Sequence, residues 1–147
     1  YSWKKYCPVV GEEATGNFQI DNVQDYAIIR FADVLLMAAE LNLDGNAGLA
    51  QTDFDRVRDR AFKDTAHRIT VNKSVIMEER RLELALEGLR YFDLIRQGMG
   101  VMKAAIDNNT GDQFAVTFRT ETQGWFALPQ SQIVLSNGTI TQNPGWN

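Results

Sequence analysis

Between Glu79 and Gln97 acids and bases alternate with leucines in a pattern that few folds accommodate. Placed on a helix at about 100° per residue, Glu79, Arg80, Glu83, Glu87 and Arg90 fall in one sector about 100° wide. Leu82, Leu86 and Leu89 flank that sector, while Met77, Leu84, Tyr91 and Ile95 lie nearly opposite. Apolar surface on two sides predicts a helix packed between layers. Charged groups withdrawn from water persist there only when paired and hydrogen-bonded. The stripe is therefore read as a structural ion network in which Arg80 and Arg90 are the partners of Glu83 and Glu87. Arg30 and Asp33, on an earlier helix, are expected to join it, with Glu40 as a further charge on that helix.

Two other readings of the stripe stay open at this level: an ordinary solvated face, or Glu79, Glu83 and Glu87 as catalytic carboxylates or metal ligands brought together by i, i+4 spacing. Against the second, carboxylate-bridged metal sites in bundles add Glu-x-x-His pairs, and this chain has a single histidine, His67, in a predicted connector. Interleaved arginines also hold carboxylates ionised rather than poised as acids. The chain has no Gly-x-Ser-x-Gly, no phosphate-cradling glycine loop, no His-Glu-x-x-His and no Cys/His cluster. No catalytic residue, metal or cofactor is assigned.

The rest of the chain supports a mainly α fold. From Ile28 to Leu43 helix formers run with apolar residues nearly all round, predicting a buried helix ended by Asp44-Gly45-Asn46. Thr52 with Asp55 reads as an imperfect capping box opening a second helix, on which Phe54, Val57, Ala61 and Phe62 recur at helical spacing. Its other face carries Asp55, Arg56, Arg58, Asp59 and Arg60. The third and longest helix is predicted from Asn72 or Ser74 to Gln97, stopped by Gly98 and Gly100, with a short further helix over Met99 to Ile106. Helix pairs joined by short turns point to a solenoid-like stack. Short extended pieces are expected at Asn17 to Ile20 and Phe114 to Phe118, and Pro129 and Pro144 predict a long irregular tail with little β.

At 147 residues, 44% of them apolar, the chain is long enough for one domain. A net charge of −4 without a Lys/Arg run supplies no field for a phosphate backbone, so nucleic acid is excluded as a partner. The chain begins at Tyr1 rather than Met and is expected to be a fragment of a larger protein. Cys7 is its only cysteine and is read as a small half-buried residue; no internal disulfide can form.

Four segments, in order, resemble the SusD/RagB family. They are Ile28-Ile29-Arg30-Phe31-Ala32-Asp33-Val34-Leu35-Leu36-Met37-Ala38-Ala39-Glu40; Asp55-Arg56-Val57-Arg58-Asp59-Arg60-Ala61; the stretch from Glu79 through Glu87-Gly88-Leu89-Arg90-Tyr91-Phe92-Asp93 to Gly98; and a tail carrying Ala127-Leu128-Pro129-Gln130-Ser131-Gln132-Ile133 and Gln142-Asn143-Pro144-Gly145-Trp146. Departures are Gln132 where an acid is usual, Trp146 in place of Tyr, and no Pro before Ile28.

The resemblance implies tetratricopeptide-like helix pairs forming an α-α superhelix, with residues 1–147 as the family's C-terminal domain. It implies a non-catalytic glycan-binding lipoprotein of the Bacteroidetes-type outer membrane, at the cell surface, serving nutrient uptake. The lipid anchor would be carried by an N-terminal segment absent from this chain. The expected partners are an oligosaccharide or polysaccharide, a SusC-like TonB-dependent transporter, and the N-terminal remainder of the same protein. The alternative is a helical protein–protein interaction module without sugar binding.

Sugars offer apolar C–H faces between hydroxyls, so flat amphipathic rings and planar amides hold them. The aromatics outside the predicted helices, Trp3, Tyr6, Trp125 and Trp146, are the candidate ligand-binding residues, with Gln123, Asn137 and Asn143 nearby in sequence. For each tryptophan the competing reading is a ring packed on the helical core. Tyr26, Tyr91 and Phe92 are expected in the core.

Overall fold

A computed structural model describes residues 5, 27–108 and 116–146. The expectations for Trp3, Tyr6, Cys7, Tyr26 and residues 17–20 lie outside the described residues. The chain divides into two compact units, Tyr1–Leu89 and Arg90–Asn147.

In the first unit, α1 (Phe31–Asn42), α2 (Ala47–Phe62) and α3 (Lys73–Glu83) surround one apolar core. Ala32, Leu35, Leu36 and Ala39 of α1 recur on one face and meet Phe54 and Val57 of α2 and Ile76 of α3. Phe54, Leu36 and Ile76 are fully buried, each worth about 1.5–3 kcal/mol of transfer free energy. The opposite face of α1 is open: Phe31, Val34, Met37 and Leu41 are 40–84% exposed, so α1 is buried along a stripe and not all round as its composition predicts. Ile28 and Ile29 precede the helix and are also exposed.

Asparagines, not the expected Thr52, start the next two helices. The Asn46 side chain accepts from the Leu49 N–H at 3.1 Å, and Asn72 accepts from the Val75 N–H at 3.0 Å, each satisfying an amide that the helix leaves orphaned. Thr52 sits inside α2 and donates its hydroxyl to the Gly48 carbonyl at 2.8 Å. His67 is a connector residue, stacked on Phe62 at 4.2 Å and bonded through Nδ1 to Asp64 at 2.8 Å.

The continuous helix expected to Gln97 is broken. α3 stops at Glu83, residues 84–89 form turns, and α4 (Arg90–Ile95) starts the second unit. Leu86 (φ +68°) and Gly88 (φ +76°) take the left-handed conformation. Glycine does so freely, whereas Leu86 costs about 1–2 kcal/mol. The turn sends the Glu87 carboxylate to Arg30 and Lys5, and those charge-assisted bonds offset the strain.

The second unit holds α4, α5 (Met99–Asp107), one 3-10 turn (Thr120–Thr122) and α6 (Gln130–Leu135). Among the described residues, Leu94 and Met102 are its buried apolar side chains. Pro129 immediately precedes α6, where its missing N–H costs nothing, so the tail contains a helix that its prolines do not prevent. No strand occurs among the described residues; 116–118 are irregular, and the Phe118 N–H donates to Asp107 Oδ1 at 2.7 Å.

Candidate functional site

The charged stripe lies at the meeting of α1, α2 and α3. Arg80 Nη1 reaches Asp33 Oδ1 at 2.6 Å, with both side chains nearly excluded from water. Arg58 Nη1 lies 2.5 Å from Glu79 Oε2. Glu83 accepts from Arg60 Nη2 at 2.7 Å on both oxygens and from Arg30 Nη1 at 2.7 Å. Arg30 Nε also spans the Glu87 carboxylate at 2.8 and 3.0 Å, and Lys5 Nζ reaches the same Oε1.

Arg30, Asp33, Glu79, Arg80, Glu83 and Glu87 are all ion-paired: Arg80 with Asp33, Arg58 with Glu79, and Arg30, Arg60 and Lys5 around Glu83 and Glu87. Glu83 is bonded by Arg60 and Arg30, and Glu87 by Arg30 and Lys5; Arg60 and Lys5 lie outside the predicted stripe. Arg90 opens α4, beyond the turn at 84–89, with an exposed side chain. Arg58 and Arg60, read as belonging to an outer face of α2, point across to α3; only the packing of the two helices distinguishes these arginines from Arg56.

Burial pushes the Glu87 carboxyl up, but the hydrogen bonds from Arg30 and Lys5 together outweigh it and hold the group below its ordinary value. Arg30 is in turn raised, first by its bond to Glu87. A general acid needs the opposite shift. What this arrangement does is lock three segments together.

Open aromatic surface lies in the second unit, and the tail motif explains how it is held. Gln142 bonds both backbone groups of Leu128: the Leu128 N–H donates to Oε1 at 2.8 Å, and Nε2 donates to the Leu128 carbonyl at 3.0 Å. Asn143 Nδ2 donates to the Phe126 carbonyl at 2.7 Å, and Trp146 Nε1 to the Trp125 carbonyl at 2.8 Å. The side chains of Gln142, Asn143 and Trp146 thus bond the backbone of residues 125–128 in place of a strand pairing, just ahead of Pro129. Gly145 (φ +76°) is pressed on the Glu121 and Thr122 backbone, 2.9 Å from where a Cβ would stand. Arg119 donates to the Gly145 carbonyl and lies 5.0 Å over the Trp146 ring.

On α4, the Tyr91 hydroxyl donates to the Gly124 carbonyl and its ring stacks on Phe126 at 5.0 Å. Phe92 meets Tyr91 edge-on at 5.9 Å. The rings left open are Phe92 (63% exposed), Trp125 (60%) and Phe126 (67%). A cavity of about 280 Å³ lies among Phe92, Ile95, Gln123, Trp125 and Phe126, and another of about 260 Å³ is bordered by Phe118, Arg119, Thr122 and Trp146. Both are walled by Tyr91, Trp125 and Phe126.

Of the predicted ligand-binding residues, Trp125 presents an open ring, Trp146 is tied down by its indole N–H and by Arg119, and Trp3 and Tyr6 lie outside the described residues. Phe92, expected in the core, is exposed. The break before α4 is the reason: a six-residue helix buries Asp93 and Leu94 and leaves Phe92 outside.

Comparison with known proteins adds three findings. Residues 1–146 match the SusD family. SusD-like protein P2 of Formosa agariphila is 27% identical over 143 residues, which cover 89% of this chain and 28% of that protein. The solved structure of surface glycan-binding protein A from Bacteroides thetaiotaomicron matches with a TM-score of 0.76 and 28% identity, over 88% of this chain and 26% of that one. The chain therefore spans little more than a quarter of the length of these relatives.

Proposed function

The chain belongs to the SusD family, and on that premise we propose that it is the C-terminal part of a cell-surface glycan-binding protein that captures oligosaccharide and breaks no bond. One observation carries the reading in this chain: Trp125 is 60% exposed on a segment with no helix of its own, yet its carbonyl and those of its neighbours are bonded by the tail. A flat ring held in place before the ligand arrives is what stacking on a sugar face requires. The likeness to a protein named for glycan binding supports the same reading.

The finer proposals follow from the family. The whole protein sits at the outer membrane through a lipid on an N-terminal segment, and it delivers sugar to a SusC-like TonB-dependent transporter. No helix among the described residues is long and apolar enough to cross a membrane. A second reading, a helical module whose ligand is another polypeptide, is favoured by one feature: the open apolar stripe of Phe31, Val34, Met37 and Leu41 on α1.

The test is a glycan array with the full-length protein, followed by isothermal titration with each hit. Saturable binding with no released product supports the proposal. Silence across the array together with tight binding to the transporter selects the second reading, and product release that Glu83→Gln abolishes would make the protein an enzyme.

A further inference from the structure

We infer that the groove bounded by Phe92, Gln123, Trp125 and Phe126 takes neutral sugar rings and rejects uronate- or sulfate-bearing ones. This inference rests on the glycan-binding reading above and assigns it a place and a ligand class. Among the described residues that line this cavity there is no charged side chain; the only polar side-chain groups are the Gln123 amide, the Trp125 indole N–H and the Tyr91 hydroxyl, which is already spent on Gly124. Open aromatic faces beside one planar amide suit a pyranose, whose C–H face stacks while its hydroxyls bond the amide. At about 280 Å³ the cavity is near the lower end of small-molecule pockets, which run from about 300 Å³, room for a ring or two of a longer chain.

Exclusion of anions follows from the same lining. A carboxylate or sulfate entering the groove loses water and meets no cation among the described lining residues, which costs free energy that stacking does not return. The guanidinium of Arg119 borders the neighbouring cavity and not this one; there its Nε bonds Glu121 at 2.9 Å, its Nη2 the Gly145 carbonyl, and its plane lies 5.0 Å over the Trp146 ring. Redirecting its Nη2 to a ligand would break the bond to the Gly145 carbonyl. Trp146 accordingly positions the groove rather than lining it.

The experiment uses the full-length protein in affinity electrophoresis and isothermal titration. Ligands are neutral oligosaccharides and uronate- or sulfate-bearing ones of matched length, at low and high salt. The parent is expected to bind neutral chains with little salt dependence and anionic ones more weakly. Trp125→Ala and Phe92→Ala are expected to weaken neutral binding by about tenfold or more, the scale of a lost stacking ring, and Trp125→Phe to retain most of it. Gln123→Lys, which places a cation at the rim where the left-handed backbone already tolerates a long side chain, is expected to raise affinity for anionic chains several-fold; as a gain of binding it does not depend on a damaged fold. Neutral binding that Trp125→Ala and Phe92→Ala leave intact overturns this inference while glycan binding stands, and so does salt-sensitive binding of anionic chains that exceeds the neutral. A parent that binds neither class overturns both this inference and the reading on which it rests.

Discussion

Gly145 and Gly138 have almost the same backbone, φ +76° and +83°, but different surroundings. An added Cβ at Gly138 meets nothing within 4 Å, whereas at Gly145 it stands 2.9 Å from the carbonyl carbon and oxygen of Glu121 and from the Thr122 nitrogen. Gly138→Ala therefore costs only the left-handed penalty of an L-residue, about 1–2 kcal/mol. Gly145→Ala adds a backbone clash that no side-chain rotation relieves, for which overpacking supplies about 1–3 kcal/mol more. Because Arg119 donates to the Gly145 carbonyl and the Trp146 indole donates to Trp125, the clash should appear as opening of the tail. The assay is amide hydrogen exchange at Trp125 and Trp146, whose N–H groups donate to Thr122 at 2.9 Å and Asn143 at 3.2 Å. The added clash corresponds to exchange faster by about fivefold to a hundredfold in Gly145→Ala than in Gly138→Ala. Equal acceleration in both variants would refute the claim that the tail is pressed against the Glu121 backbone and fixes the aromatic segment from there.

Other perturbations probe the scaffold. Arg80→Ala removes the partner of a buried Asp33 and is expected to cost about 3–5 kcal/mol in urea unfolding, while Arg81→Ala, at an exposed pair with Glu78, stays within about 0.5 kcal/mol. Because Glu87 is held below its ordinary value of 4.5, its contribution is complete above that pH and is lost as pH falls through the lower folded value. Urea midpoints measured across that acidic range should fall less steeply in Glu87→Gln than in the parent. Asn46→Ala and Asn72→Ala each remove a bond to a helix-start amide and should each lower stability by about 1 kcal/mol; no loss in either variant would mean that these side chains do not cap.

How far these features were legible in the sequence varies with the physics behind them. α1, α2 and the start of α3 follow from apolar periodicity, a short-range signal, and the resemblance in four motifs is upheld by the family match. The break after Glu83 was hidden because Leu84 to Glu87 consists of strong helix formers, and Gly88 alone signals a stop; the turn is selected by Arg30 and Lys5, distant in sequence. A helical wheel finds which charges share a face but not which arginine of another helix reaches them, so Arg58 and Arg60 were missed as partners. The tail motif was recognisable as a signature, yet its work of bonding the Trp125–Leu128 backbone depends on a fold-back that no local pattern encodes. Phe92 reads as core only on a long, enclosed helix; α4 is six residues long, and the ring is surface.

Hydroxyl-radical footprinting of the full-length protein, with and without a saturating neutral oligosaccharide, bears most directly on the separation of a structural charge network from an aromatic binding face. Reduced oxidation of Trp125, Phe92 and Phe126, with Met77 and Phe54 beside the α3 network unchanged, is the predicted result. Unchanged oxidation of those three rings at saturation, with protection falling on the α1–α3 unit instead, would contradict it.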